Sequence, residues 1–230
     1  MSESPTTVPY RRAVWTDFGG VLTPAMHQTW GAFCARLKVD PQVLMSAVST
    51  VSSRYGTQDF MEPLDTPLVG EREWLAQIGA VLRAQGVVID SPDSLGPIWF
   101  DRRETNHRWA ERLRGARAAG HFVGVLSNMV PAWDEHWRRM LPVEAMFDDV
   151  VLSFEVGARK PDPAIFALAA RRAGLPPGQC VLVDDLERNC AGALAAGWSA
   201  IQFRSADQAV IELDALLASP PVEAVQEVAV

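Results

Sequence analysis

The spacing of apolar and polar positions divides this chain into two regimes. From about residue 27 to 105, apolar residues recur three and four apart: Trp30, Phe33, Cys34 and Leu37, then Val43, Leu44, Ala47, Val48 and Val51. Trp74, Leu75, Ile78 and Leu82 repeat the pattern and predict a helix over about 71–85. Such a period puts the apolar groups on one helical face, so the stretch reads as a block of amphipathic helices. Asp40-Pro41 supplies an N-cap followed by proline at the first helical position. The Pro- and Gly-rich runs from Met61 to Gly70 and from Ser91 to Pro97 read as loops between helices.

On either side of that block the pattern is different. A short apolar run at about 12–18 precedes it, and from about 102 short apolar runs alternate with helical stretches. Strands are expected near 121–126, 150–152, 180–183 and 199–203. Helices are expected near 102–119, 131–140, 163–173, 187–196 and 206–217, and several end at a glycine (Gly120, Gly174, Gly197). Strands separated by helices of about ten residues or more imply a parallel sheet covered on both faces. The predicted fold class is α/β, a doubly wound Rossmann-like parallel sheet. Its core spans 10–24 and 103–218, a helical domain is inserted after strand 1 over 25–102, and 1–9 and 219–230 are loose tails.

Composition narrows the classes of function. With 230 residues, 48% hydrophobic, 21% charged and a net charge of -7, the chain gives no electrostatic reason to bind nucleic acid. No apolar stretch has the length of a membrane span. The polar start, Met1 to Pro9, has no apolar signal-like segment, and the three cysteines (Cys34, Cys180, Cys190) lack metal-type spacing. A cytoplasmic protein with reduced thiols is expected. Of 21 cationic side chains only Lys38 and Lys160 are lysine, so a lysine here invites a specific reason.

Four polar groups lie just beyond predicted strands: Asp17 with Gly19 and Gly20, Ser127-Asn128, Arg159-Lys160-Pro161-Asp162-Pro163, and Asp184-Asp185. Singly, each has an ordinary reading as a turn, a helix cap or a solvated loop. Strand ends of one parallel sheet share an edge, however, and ligands of open α/β sheets bind at that edge. An ionised Asp can attack phosphorus or carbon. A lysine ammonium offsets the charge of a phosphate dianion, and clustered Asp oxygens suit Mg²⁺. A Ser hydroxyl and backbone N–H groups at a strand-to-helix turn can hold the remaining phosphate oxygens.

In these four segments the chain resembles the haloacid dehalogenase (HAD) superfamily. Asp17-Phe18-Gly19-Gly20-Val21-Leu22 is similar to motif I, Leu126-Ser127-Asn128 to motif II, Lys160 to motif III, and Val183-Asp184-Asp185 with Asn189 to motif IV. The stretch from Ser153 to Pro163 resembles the branch containing the phosphatase domain of soluble epoxide hydrolase, and the inserted helices a C1-type cap. The resemblance implies a Mg²⁺-dependent phosphatase acting on a small phosphorylated metabolite. It makes Asp17 the nucleophile that forms an aspartyl-phosphate, and Ser127 and Asn128 phosphate ligands. Lys160 would partner both nucleophile and phosphate. Asp185, Asp184, Asp17 and the Gly19 carbonyl would surround the metal, and Asn189 would orient the loop.

One position departs from the pattern. Phosphatases of the superfamily usually carry a second Asp two residues after the nucleophile, as general acid, and here that residue is Gly19. Such catalysis is worth about 10²–10⁴-fold. A good leaving group, such as an anomeric or aryl oxygen, needs less help, and the resemblance includes a branch with Gly at this position, sugar-1-phosphatases among them. His27 is the candidate substitute, and Arg54 and Tyr55 are candidate substrate contacts from the insertion. Two rivals follow: a scaffold that binds a ligand or partner without turnover, favoured by Gly19, and a metal-independent haloacid dehalogenase, disfavoured by Asp184-Asp185. The sequence leaves the oligomeric state open.

Overall fold

Five apolar runs become strands, all parallel. β1 (Ala13–Thr16) is central, flanked by β2 (Phe122–Ser127) and then β3 (Asp149–Leu152) on one side, and by β4 (Cys180–Asp184) and β5 (Ser199–Gln202) on the other. The register sets Thr16 beside Val125 and Val183, and Ser127 beside Leu152. The strand carboxyl ends, where Asp17, Ser127 and Asp184 stand, therefore share one edge. This is a computed structural model describing residues 12–89 and 93–219, and apart from Ser219 the expected tails lie outside the described residues.

Both faces of the sheet are buried, which is why its strands are apolar throughout. Alternate residues of β1 serve different layers. Val14 joins Val123, Val125, Val181 and Val183 against α6 (His107–Ala118) and α12 (Ala206–Ala218). Ala13 and Trp15 join Leu126, Val151 and Leu182 against α10 (Pro163–Ala173) and α11 (Glu187–Ala195). The Trp15 ring crosses β2 at Gly124, where a Cβ would come within 2.4 Å of it.

The insertion after β1 contains α1 (Met26–Leu37), α2 (Pro41–Ser53), α3 (Glu62–Asp65), α4 (Glu71–Ala84) and α5 (Gly96–Trp99). Asp40 caps α2 as expected, accepting from the N–H groups of Gln42 (2.8 Å) and Val43 (3.1 Å). The chain leaves and re-enters the sheet domain through neighbouring segments. Arg103 Nη2 donates to the Pro24 carbonyl (2.7 Å) and the Asn106 side chain to the Val21 carbonyl (3.0 Å).

The remaining helices are short: α7 (Asp134–Arg138), α8 (Val143–Met146) and α9 (Ser153–Val156). The run from Met61 to Gly70, expected as a loop, carries α3, and α5 begins within the one expected from Ser91 to Pro97; two helix expectations also need correction. The helix expected from 102 starts at His107, because Asn106 Oδ1 accepts from the Trp109 N–H (3.2 Å) and caps it there. The helix expected over 131–140 is a 3₁₀ turn at Pro131–Trp133 followed by α7, with Pro131 opening the turn.

Candidate active site

Asp17 follows β1 directly. Its N–H donates to the Val183 carbonyl (2.8 Å), fixing it to β4. Its own carbonyl accepts from Thr16 Oγ1 (2.9 Å), which in turn accepts from Trp109 Nε1 (3.1 Å). Beneath the carboxylate lies Lys160, fully buried, with Nζ 3.0 Å from Asp17 Oδ1 and 2.5 Å from Asp184 Oδ2. Ser127, the last residue of β2, lies beside the Asp17 carboxylate, and its hydroxyl favours the ionised form.

The neighbours of Lys160 and Asp184 hold them in place. Asn128 clamps the Lys160 peptide: Oδ1 accepts from Lys160 N (2.8 Å) and Nδ2 donates to Lys160 O (2.9 Å). Asp184 accepts from Leu186 N (2.9 Å) and from Asn189 Nδ2 (3.0 and 3.1 Å). Gly20 is required by close approach: its φ is +83°, and a Cβ there would lie 2.1 Å from Asp185 Oδ2.

Three carboxylates share one ammonium. Burial lowers the Lys160 pKa, but Asp17 and Asp184 outweigh it and leave it above the ordinary value. Burial raises Asp17, with Asp184 adding to the effect against Lys160. Asp185 is pushed up to about 7 by burial and then by Asp17 and Asp184. Carboxylate oxygens of Asp17, Asp184 and Asp185 lie within 4.8 Å of one another. One ammonium leaves these three carboxylates only partly compensated, and such a set of hard oxygen donors fits a divalent cation such as Mg²⁺.

Asp17, Gly19, Ser127, Asn128, Lys160, Asp185 and Asn189 line a cavity of about 850 Å³ between the sheet edge and the insertion. His27 lines it as well. Arg54 and Tyr55 do not, which corrects their expected placement. Both sit at the far end of α2; Arg54 is exposed, and the Tyr55 hydroxyl accepts from Gln77 Nε2 (2.7 Å) on α4. α2 reaches the cavity through Met45 instead.

The structure also joins Arg159, from the third strand-end segment, to residues that periodicity and motif spacing did not single out: Asp59, Asp65 and Arg188. Arg159, next to Lys160, binds Asp65 of α3 through Nε (2.8 Å) and Nη2 (2.9 Å), and Asp59 through Nη2 (2.9 Å). Arg188 shares Asp59 (2.6 Å). Burial works against the Asp59 carboxylate, yet Arg159 and Arg188 hold it below its ordinary value. Burial prevails at Asp65, which is pushed up to about 6. Asp65 has the closer grip of Arg159 but is the more deeply buried and has no second cation, whereas Asp59 also has Arg188.

A family model described as haloacid dehalogenase-like hydrolase matches residues 12–197. Over 95 residues the chain is 36% identical to a glyceraldehyde 3-phosphate phosphatase of Methanopyrus kandleri, a match spanning 40% of each chain. A HAD family enzyme of Bacteroides thetaiotaomicron, solved with magnesium and inorganic phosphate, superposes with a TM-score of 0.58 at 20% identity, covering 83% of this chain and 93% of that one. The L-2-haloacid dehalogenase of Xanthobacter autotrophicus superposes with a TM-score of 0.60 at 18% identity, covering 91% and 84%. At such identities the superpositions speak for the fold alone. The family model covers most of the chain and spans the four strand-end segments described above, and on that match the protein belongs to the haloacid dehalogenase-like hydrolases.

Proposed function

We propose that the protein is a Mg²⁺-dependent phosphatase that hydrolyses a small phosphorylated metabolite through an aspartyl-phosphate on Asp17. The observation that carries this reading is the buried Lys160 ammonium, 3.0 Å from Asp17 in a cavity that Asp185 also lines, with the fully buried Asp184 on the other side of that ammonium. A phosphoryl dianion approaching Asp17 meets that ammonium, and Ser127 can turn its hydroxyl to a phosphoryl oxygen. Asp17 attacks phosphorus, and the bond to the leaving oxygen breaks. Water then attacks the aspartyl-phosphate and returns Asp17 as a carboxylate. Asn128 and Asn189 act at one remove, keeping Lys160 and Asp184 in register. Mg²⁺, held by Asp17, Asp185, the Gly19 carbonyl and the nearby Asp184, would supply further positive charge against the phosphoryl oxygens.

The curated relative named as a phosphatase of a three-carbon sugar phosphate supports the reaction class. The test is phosphate release from acetyl, aryl and sugar phosphates, with Mg²⁺ and with chelator. Turnover should require Mg²⁺ and fall by about 10³-fold or more in Asp17→Asn. No turnover of any of these compounds, with Mg²⁺ still binding, would favour a binding scaffold, the reading that Gly19 otherwise supports.

A further inference from the structure

A large part of the cavity's lining is an apolar wall. Met26, Trp30, Phe60, Trp99, Phe100 and Trp133 form it. Trp99 and Trp133 stack, with ring centroids 5.6 Å apart and planes inclined by 18°, and Phe100 meets Trp133 edge-on at 5.8 Å. Of the cationic side chains in the lining, Arg159 and Arg188 bind Asp59, Arg159 also binds Asp65, and the Arg103 guanidinium lies 5.1 Å from the centre of the Trp99 ring and donates Nη2 to the Pro24 carbonyl. Behind this wall lies an adjoining cavity of about 40 Å³ inside the insertion. Its lining is wholly apolar and includes Met26, Trp30, Phe60, Trp99 and Trp133 again.

A polyol in this seat would give up hydrogen bonds to water that rings and thioethers cannot replace. A flat apolar body gains from the same surfaces, through burial and through stacking. Position 19 gives an independent reason. Gly19 offers no proton to a leaving oxygen, so the site suits an oxygen that departs readily as an anion. An aromatic alcohol satisfies both conditions. Resting on the phosphatase reading above, we infer that the substrate is an aryl phosphate, its ring seated among Trp30, Phe60, Trp99 and Trp133.

In that reaction an Asp17 carboxylate oxygen bonds to phosphorus while the phosphorus–aryl oxygen bond breaks. Its electron pair leaves on the aryloxide, which takes a proton from solvent. Water then bonds to phosphorus and the bond to Asp17 breaks; one proton of that water remains on the released phosphate and the other passes to solvent, replacing the one the aryloxide took. No acid at position 19 is needed for the first step.

The test compares kcat/KM of the full chain with Mg²⁺ on acetyl, phenyl, naphthyl and cyclohexyl phosphates and on glyceraldehyde 3-phosphate. Phenyl and naphthyl oxygens leave with similar ease, so their ratio reports the seat. At roughly fourfold per buried methylene-sized group, naphthyl phosphate should exceed phenyl by roughly tenfold or more. Cyclohexyl phosphate and the triose phosphate should fall well below both. Trp30→Ala, at a half-buried position, should bring the naphthyl-to-phenyl ratio towards one. Turnover of acetyl phosphate with no gain from phenyl to naphthyl, or with the triose phosphate best, would overturn the aryl assignment and leave the phosphatase standing. An unchanged ratio in Trp30→Ala would likewise overturn the seat. Acetyl phosphate left intact by the wild type would remove the phosphatase reading and this inference with it.

Discussion

A Cβ built on Gly19 meets nothing within 4 Å, whereas one on Gly20 collides with the Asp185 carboxylate and would have to adopt a φ of +83°. The two neighbours should therefore respond oppositely to substitution. Gly19→Asp places a carboxyl group in open space two residues from the nucleophile, and should raise kcat/KM on cyclohexyl phosphate by about 10²-fold, the low end for general acid catalysis. A fourth carboxylate near three others explains the choice of the low end. Gly20→Ala has no such space. It should displace Asp185 and cut Mg²⁺-dependent turnover on phenyl phosphate by at least about tenfold, since a left-handed position adds strain of about 1 kcal/mol or more. An inert Gly19→Asp would mean that a side chain there does not reach the leaving oxygen. At this scale the sequence was informative where a polar residue interrupts an apolar run, as at Asp17, Ser127 and Asp184. It was also informative where lysine appears in a chain that otherwise uses arginine. It was silent on partners: nothing in Asn128 itself says that its amide grips the Lys160 peptide.

α3 is a single turn, yet it carries the carboxylate that ties the insertion to the sheet edge. Asp65 is 2% exposed, and its backbone carbonyl also accepts from Ser153 Oγ at 2.6 Å. Its pKa is about 6 in the folded protein against an ordinary 3.8, with burial the main cause and Asp59 and Glu62 adding to it against Arg159. The folded state thus binds this proton more tightly than the unfolded one. The stabilisation is complete below about pH 4 and is lost as pH rises through about 6. Wild type should lose thermal stability between pH 5 and pH 7.5, and Asp65→Asn, which cannot ionise, should lose less. Equal changes in melting temperature for the two proteins would show that Asp65 does not titrate in this window. Asp59, held low by Arg159 and Arg188, titrates below it. The long helices of the insertion were legible because several turns repeat the period. The single turns at 62–65, 96–99, 143–146 and 153–156 were not, because one turn has no period to read.

Over the whole molecule, the sheet and the insertion are not separated by a polar seam. One apolar cluster runs from Val14, Val123 and Leu213 in the sheet domain to Phe33, Val48 and Leu75 in the insertion. Aromatic pairs span the junction: Phe18 with Phe100 at 6.3 Å, and Trp99 with Trp133 at 5.6 Å. Trp133 Nε1 also donates to Glu71 at the start of α4 (2.8 Å). The alternation of strands and helices made the α/β core legible, but no period encodes which aromatic crosses from one part to the other. Two units joined by two chain segments could unfold separately. The continuous cluster predicts that they do not. Urea unfolding should give one transition, with far-ultraviolet circular dichroism and tryptophan fluorescence coinciding; the tryptophans report on both parts, as Trp30, Trp74 and Trp99 lie in the insertion and Trp15, Trp109 and Trp198 in the core. Trp133→Ala removes the stacked ring and one donor to a nearly buried Glu71, at a cost of about 3–5 kcal/mol. It should separate the two curves, with the insertion unfolding first. Coincident curves in the variant would mean that the rest of the cluster couples the parts without Trp133, and separated curves in wild type would mean that the shared apolar contacts are too weak to couple them at all.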